Sequence, residues 1–329
     1  MPRLTVIIPA YNAASTVAAC VGALSEQAER NDAEIVVVDD GSTDETADRA
    51  RAAGARVIRC DHRGTAAARN TGIQAARGEI ICCTDADCVP RPDWLEQIVV
   101  PLADPQIAAA KGTYVTLQRA LVARFVQLEY EDKYDLMRGR PSIDFVDTYS
   151  AAYRRDALLA VGGFDTHFTY AEDQELSFRL AKAGRHMVFQ PSAVVAHLHA
   201  STLRAYIRKK LLIGYWKAQV MRRHPERLAR DSHTPQVMKI QMGLSGLVIG
   251  AAGLAVAAGL AGLDLAGPMS AIAAALIMVF LFTTLPFAVK AWRKDRAVAL
   301  ASPPLLFVRA VALAAGYGWG IVRPAAIDS

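Results

Sequence analysis

The sequence predicts an α/β domain built on a mostly parallel, Rossmann-like sheet, followed by C-terminal transmembrane helices. Three observations predict it. Short apolar, β-branched runs alternate with helical stretches over the first 110 residues; polar and acidic residues close those runs; and charge thins out beyond position 240 in a chain that is 53% hydrophobic, with a mean hydropathy of +0.18.

"LTVII" is the first strand, and a helix starting near Ser15 closes with "SEQAER". "EIVVVDD" is the second strand, followed by Ser42-Thr43 and a helical run to Ala53, where Ser42 with Glu45, or Thr43 alone, could cap. "ARVIRC" is the third strand, "GTAAARNTGIQAAR" a helix and "GEIICCT" the fourth strand. Continuous apolar strands separated by helices imply a parallel sheet covered on both faces, and such sheets bind ligands outside the carboxyl ends of their strands. That edge gathers Pro9, Tyr11 and Asn12; Asp39 and Asp40; Asp61 and His62; and Asp85 and Asp87. Beyond residue 118, "ALVARFVQLEYEDKYDLMRG" reads as a helix, and "GGFDTHFTYAEDQELSFRLAKAG" as a turn into a helix starting near Ala171.

In the second half, Ile240 to Leu263 carries no charge over 24 residues, which as a helix spans about 36 Å against a hydrocarbon core of about 30 Å. Asp264, Gly267 and Pro268 turn the chain, and Met269 to Val289 is a second uncharged run; Pro303-Pro304 opens a third apolar segment, ending near Val322 and interrupted by Arg309. Two to three spans are expected, giving a catalytic domain over 1–202, a basic amphipathic helix and linker over 203–239, and a membrane region over 240–329. The amphipathic helix places Leu203, Tyr206, Ile207, Leu211, Tyr215 and Ala218 on one stripe. Tyr215 and Trp216 are expected at the bilayer surface.

Residues 203–239 hold ten basic residues, Arg230 among them, against Glu226 and Asp231: a local charge of +8 where the whole chain carries +5. Beside a span, that patch is expected to meet anionic lipids and no nucleic acid. Lys and Arg flank the spans before the first and after the second, and the loop between has none, so the first domain is expected on the cytoplasmic side of the cell (inner) membrane, in a multi-pass protein. The opening residues do not read as a signal peptide. Five cysteines in the first 90 residues, without zinc-type spacing, are expected as free thiols.

In "TDADCVP", Asp85 and Asp87 at i and i+2 of an extended segment point the same way. A hard divalent cation, Mg²⁺ or Mn²⁺, binds through such carboxylates together with substrate phosphates. "AEDQEL" supplies Glu172 and Asp173 at a helix start, and "VVAHLHAS" puts His197 and His199 on one face of a strand.

Taken in order and spacing, "VIIPAYNA", "VVVDDGSTDET", "GTAAARNTGI", "GEIICCTDADCVP", "GGFD" and "AEDQELSFRLAKAG" resemble the family 2 glycosyltransferases of the GT-A fold, over roughly residues 3 to 200. The resemblance implies a nucleotide-sugar donor, a divalent metal and inversion at the anomeric carbon. It further implies that Pro9, Tyr11 and Asp40 hold the nucleobase, that Arg69 and Asn70 form the nucleotide-side helix motif, that Asp85 faces the ribose and that Asp87 binds metal with His197. Asp173 would be the base, with Glu172 orienting or binding the acceptor and Glu175 facing structure. Where the family often has Asn two positions before the glycine, this chain has His62 before Arg63-Gly64. A uridine-diphosphate sugar is the expected donor, and a lipid-linked or glycan acceptor follows from the spans.

Two other enzymes and one non-enzyme fit less well. A nucleotidyltransferase opens with a Gly-rich basic loop after its first strand, and "IIPAYNAAST" has neither Gly nor Lys there. A processive synthase would carry Gln-x-x-Arg-Trp, which is missing from the sequence. A non-catalytic membrane scaffold would not need Asp40, Asp85, Asp87 and Asp173 together.

Overall fold

The computed structural model describes residues 3–228 and 231–325; Arg230, counted above among the basic residues, lies outside them. The chain divides into two compact units. Of the described residues, one holds 3–118 with 134–199 and 231–233; the other holds 119–133, 200–228 and 234–325.

The first unit begins with β1 (Leu4–Ala10), α1 (Val17–Arg30), β2 (Ala33–Asp39), α2 (Thr46–Ala52), β3 (Arg56–Arg59), α3 (Thr65–Ala75) and β4 (Ile80–Cys83). Val6, Ile7, Ile8, Val36, Val37, Cys82 and Cys83 are fully buried, so these strands are covered on both faces, as their unbroken apolar runs require. β5 (Cys88–Pro90), α4 (Trp94–Val99) and β6 (Ile107–Val115) follow, then α5 (Leu121–Met137), which passes from the second unit back into the first. β7 (Ala151–Arg154), α6 (Arg155–Ala160), α7 (Glu172–Lys182) and β8 (His186–His197) complete this unit.

The eight described strands form one sheet in the order β3-β2-β1-β4-β7-β6-β8-β5. β1, β2, β3 and β4 run parallel, whereas β7 is antiparallel to both β4 and β6. β8 runs parallel to β6, and β5 pairs antiparallel with β8. Two reversals across β7 restore the original direction. The carboxyl end of β8 therefore lies on the same edge as the carboxyl ends of β1 to β4, and β5 starts there.

The expected capping at Ser42 and Glu45 is replaced by a different arrangement. Ser42 Oγ accepts from the Asn12 N–H at 2.9 Å, and Asp44 accepts from Thr46 N at 3.1 Å at the start of α2. Asn12 Oδ1 in turn accepts from Thr43 N at 2.9 Å. The hydroxyls and amides after β2 thus tie the β1 and β2 loops together, a long-range use that local spacing does not disclose.

The second unit contains α8 (Leu203–Arg223), α9 (Gln236–Leu260), α10 (Ala266–Trp292) and α11 (Arg296–Val322), together with the first part of α5. The last three helices are long and apolar enough to cross a membrane. The third begins earlier than its prolines suggested. Pro303 and Pro304 sit inside α11, where Pro303 supplies no N–H for the Ala299 carbonyl; the Ser302 hydroxyl donates to that carbonyl instead, at 2.8 Å, and the helix continues. Of the three, α11 is the most enclosed, with 44% of its most apolar stretch buried against 28% and 22% for α9 and α10.

The helix α8 packs along α11 through glycine. A Cβ on Gly316 would lie 2.0 Å from the Leu211 carbonyl oxygen, and one on Gly214 would lie 2.4 Å from that of Leu313. On the expected α8 stripe, Tyr206 and Ala218 are buried but Leu203 is 43% exposed. The Tyr215 ring lies 4.8 Å from that of Trp319. Arg309, buried in α11, donates to Glu129 Oε1 at 3.1 Å and to Gln241 Oε1 at 2.5 Å; Lys210 and Tyr206 reach the same Glu129 carboxylate at 3.0 and 3.1 Å. Burial would raise the Glu129 carboxyl, but Lys210 and Arg309 hold it below its ordinary value.

Candidate active site

At the carboxyl edge of the sheet, Asp40 follows β2 and is buried. Its two carboxylate oxygens accept from the backbone N–H groups of Arg63 and Gly64 at 2.9 and 2.8 Å, and the His62 Nδ1 lies 2.9 Å from it. His62 in turn stacks on Tyr11 with ring centroids 4.0 Å apart, leaving Tyr11 half exposed at the mouth of this edge. The Asp40 carboxylate thereby fixes the turn that opens α3. Pro9 is buried within β1.

The helix α3 carries the two residues that knit the site. Arg69 is almost wholly buried, and its guanidinium forks: Nη2 donates to Asp85 Oδ1 at 2.8 Å and Nη1 to Glu172 Oε1 at 2.7 Å. A single cation so joins the loop after β4 to the start of α7, which lies 103 residues beyond Arg69 itself. Asn70 pairs with the backbone of Phe164, accepting from its N–H at 2.8 Å and donating to its carbonyl at 2.7 Å. Gly163, at φ +72°, is required there, because a Cβ would lie 2.6 Å from Asn70 Oδ1. Arg179, paired with buried Glu175 at 2.7 Å, donates to the Gly163 carbonyl from the other side. Glu175 thus holds the arginine that braces this turn.

Ala171 adopts a left-handed conformation at φ +62° and turns the chain into α7, whose first two residues are Glu172 and Asp173. Burial, together with the neighbouring Glu172 charge, pushes the Asp173 carboxyl up to about 7, against the opposing pull of Arg69. Lys111, fully buried in β6 and paired with Asp147, also opposes the rise. A carboxyl poised near neutrality, with a carboxylate and a guanidinium beside it, suits proton abstraction from an alcohol.

On the other side of Asp85, Asp87 is 45% exposed, and its Oδ1 lies 3.5 Å from the Nδ1 of His197 at the carboxyl end of β8. Cys88, fully buried, stands opposite His197 in the β5–β8 register. A carboxylate oxygen and an imidazole nitrogen at this separation fit two positions on one divalent ion, whose bonds to such ligands run about 2.0–2.2 Å. His199 is buried against the Tyr114 ring, centroids 4.9 Å apart, with its backbone N–H on Gln118.

Asp85, Arg69, Glu172 and Asp173 are thus brought together, and Asp87 meets His197. Ser150 is fully buried and accepts from Trp94 Nε1 at 2.8 Å, so it serves the core. Lys111 is a residue that sequence reasoning misses, although a lysine inside the apolar strand "IAAAKGTYV" is a signal. Cys88, expected only as one of the free thiols, faces His197 from 109 residues away, a pairing that local spacing does not disclose.

A profile described as "Glycosyl transferase family 2" matches residues 5–162. A pre-mycofactocin glycosyltransferase of Mycobacterium tuberculosis is 34% identical over 238 residues, covering 69% of this chain and 49% of that protein. This chain therefore spans about half the length of that relative. The glycosyltransferase AglE of Haloferax volcanii is 28% identical over 230 residues, covering 67% of this chain and 74% of that one. Among solved structures, the mannosyltransferase PcManGT from Pyrobaculum calidifontis, in complex with GDP-Man and Mn²⁺, superposes with a TM-score of 0.59 over 97% of this chain and 87% of that one, at 22% identity. That likeness shows a shared fold.

Proposed function

We propose, from the premise that this chain belongs to glycosyl transferase family 2, that it transfers a sugar from a nucleoside-diphosphate donor to an alcohol, with inversion at the anomeric carbon. The observation that carries the reading is the forked Arg69. It fastens Asp85, beside Asp87, to Glu172, beside the elevated Asp173, which supports reading these residues as parts of one site.

In this reading Tyr11, Pro9 and Asp40 receive the base of the nucleotide, and Asp85 faces its ribose. Asp87 and His197 hold Mg²⁺ or Mn²⁺, and the solved neighbour contains Mn²⁺. The bound ion would neutralise charge building on the departing diphosphate. Asp173 takes the proton of the acceptor hydroxyl as it attacks the anomeric carbon from the face opposite the leaving group. Glu172, held by Arg69, orients that hydroxyl and keeps the base elevated. Asn70 and Gly163 hold the "GGFD" turn beside them.

The donor we assign is a uridine-diphosphate sugar. Its ring N–H is of the type Asp40 would accept, a feature guanine shares. The acceptor we assign is lipid-linked or glycan in nature, because three helices capable of spanning a bilayer would keep the enzyme at a membrane surface. The Lys and Arg distribution supports a cytoplasmic first unit and a basic α8 that meets anionic lipids. Turnover of a panel of uridine- and guanosine-diphosphate sugars, with Mn²⁺ and with a chelator, tests this reading. Metal-dependent release of nucleoside diphosphate is the expected result, and no turnover or binding of any donor would overturn it.

A further inference from the structure

We propose that Asp87, Cys88 and His197 form a three-point site for a thiophilic divalent cation of the Zn²⁺ class, which competes with the ion that serves the donor diphosphate. The proposal shares Asp87 and His197 with the reading above and rests on it for the identity of the competing ion.

The geometry carries it. The ligand atoms of these three side chains all lie within 4.8 Å of one another. Cys88 Sγ is 3.6 Å from His197 Nδ1 and 3.9 Å from Asp87 Oδ1, and Asp87 Oδ1 is 3.5 Å from the same His197 nitrogen. Around a tetrahedral zinc with ordinary bond lengths, sulfur and nitrogen are separated by about 3.6 Å, sulfur and oxygen by about 3.5 Å, and nitrogen and oxygen by about 3.3 Å. The three edges of the triangle therefore match that polyhedron to within a few tenths of an ångström.

The fold holds this triangle in place. Cys88 and His197 are direct partners in the antiparallel β5–β8 pair, so their side chains rise from one face of the sheet. Cys88 is fully buried and the His197 side chain only 12% exposed, whereas Asp87 stands 45% open. An ion enters from the Asp87 side and meets the thiol from within.

The donor set decides which ion is held. Mg²⁺ demands an octahedral shell of oxygen, and its diphosphate complex has no use for sulfur. A thiolate with imidazole and carboxylate is a borderline-soft set that selects zinc-like ions. On binding, the Cys88 thiol gives its proton to solvent, and the sulfur, nitrogen and oxygen fill three of four positions. One position remains, which is fewer than a diphosphate bridged through two oxygens needs. Zn²⁺ bound this way opposes donor binding.

Cobalt(II) titration of the full-length chain in detergent micelles tests this directly. A thiolate-to-cobalt charge-transfer band in the near ultraviolet, displaced by Zn²⁺, is expected. Cys88→Ser and Cys88→Ala should abolish the band and weaken Zn²⁺ binding at least tenfold by calorimetry, while Cys60→Ser retains both. The wild-type spectrum stands without any variant, should one fail to fold. A band that survives in the Cys88 variants, or is missing from wild type while Mn²⁺-dependent donor binding persists, overturns this proposal alone. Loss of both the band and all metal-dependent donor binding overturns the transfer reading with it.

Discussion

Asp173 combines a raised affinity for its proton with a place beside Arg69 and Glu172, and each property makes a separate prediction. In its proposed role as the base it must be ionised, so the rate of transfer should climb as pH rises through about 7 and level off above. Asp173→Asn should lower the rate about 10²–10⁴-fold while donor affinity, measured by calorimetry, stays within a few-fold of wild type. Linkage gives a second readout. The folded value lies above the ordinary 3.8, so the favourable contribution is complete below about pH 4 and is lost as pH rises through about 7. Asp173→Asn should therefore raise Tm relative to wild type at pH 8 and not at pH 4. Asp87→Ala should weaken Mn²⁺-dependent donor binding at least tenfold, with little change when a chelator is present. Much of this site was legible in the sequence, because carboxylates that close apolar strands, such as Asp40 and Asp85, have no reason to be there in a core. What stayed hidden depends on tertiary register: the fork of Arg69 and the Cys88–His197 pairing join segments 103 and 109 residues apart.

At the scale of elements, the four parallel strands and the helices between them were readable because each run carries its own period and ends. β5 and β7 were not. They span three and four residues, too short for a pattern, and their antiparallel direction is set by the neighbours they pair with. The double proline misled for a related reason: a local rule for helix starts was overridden by a hydroxyl that takes the stranded carbonyl. The α8–α11 contact offers a sharp test of packing. Gly316→Ala would set a methyl 2.0 Å from the Leu211 carbonyl oxygen, so the helices must part. The expected cost is about 1–3 kcal/mol, read as a drop in Tm of the detergent-solubilised protein, whereas Gly250→Ala, with open space at its Cα, should be near neutral.

For the molecule as a whole, the notable charge is a buried one. Arg309 lies within a helix long and apolar enough to span a bilayer, and Glu129 answers it from a helix outside the spans. Removing one partner of a buried pair costs about 3–5 kcal/mol. Arg309→Met, which leaves Glu129 with Lys210 and Tyr206, and Glu129→Gln, which leaves Arg309 without its anion, should both lower Tm by several degrees. Measured down the pH scale, wild type should lose this pair's contribution as acid protonates Glu129. Its folded value is below the ordinary one, so the stabilisation is present above that ordinary value and vanishes as pH falls through the folded value.

The distance between these partners along the chain, 180 residues, bears on how the protein is made. Synthesis proceeds from the amino end, so Glu129 has left the ribosome long before Arg309 emerges. The counter-charge is in place before α11, a helix long and apolar enough to cross a membrane, is complete. In Glu129→Gln, that helix arrives with an arginine and no anion to receive it. A reporter fused after α11 should then show a larger share of chains with that helix left uninserted.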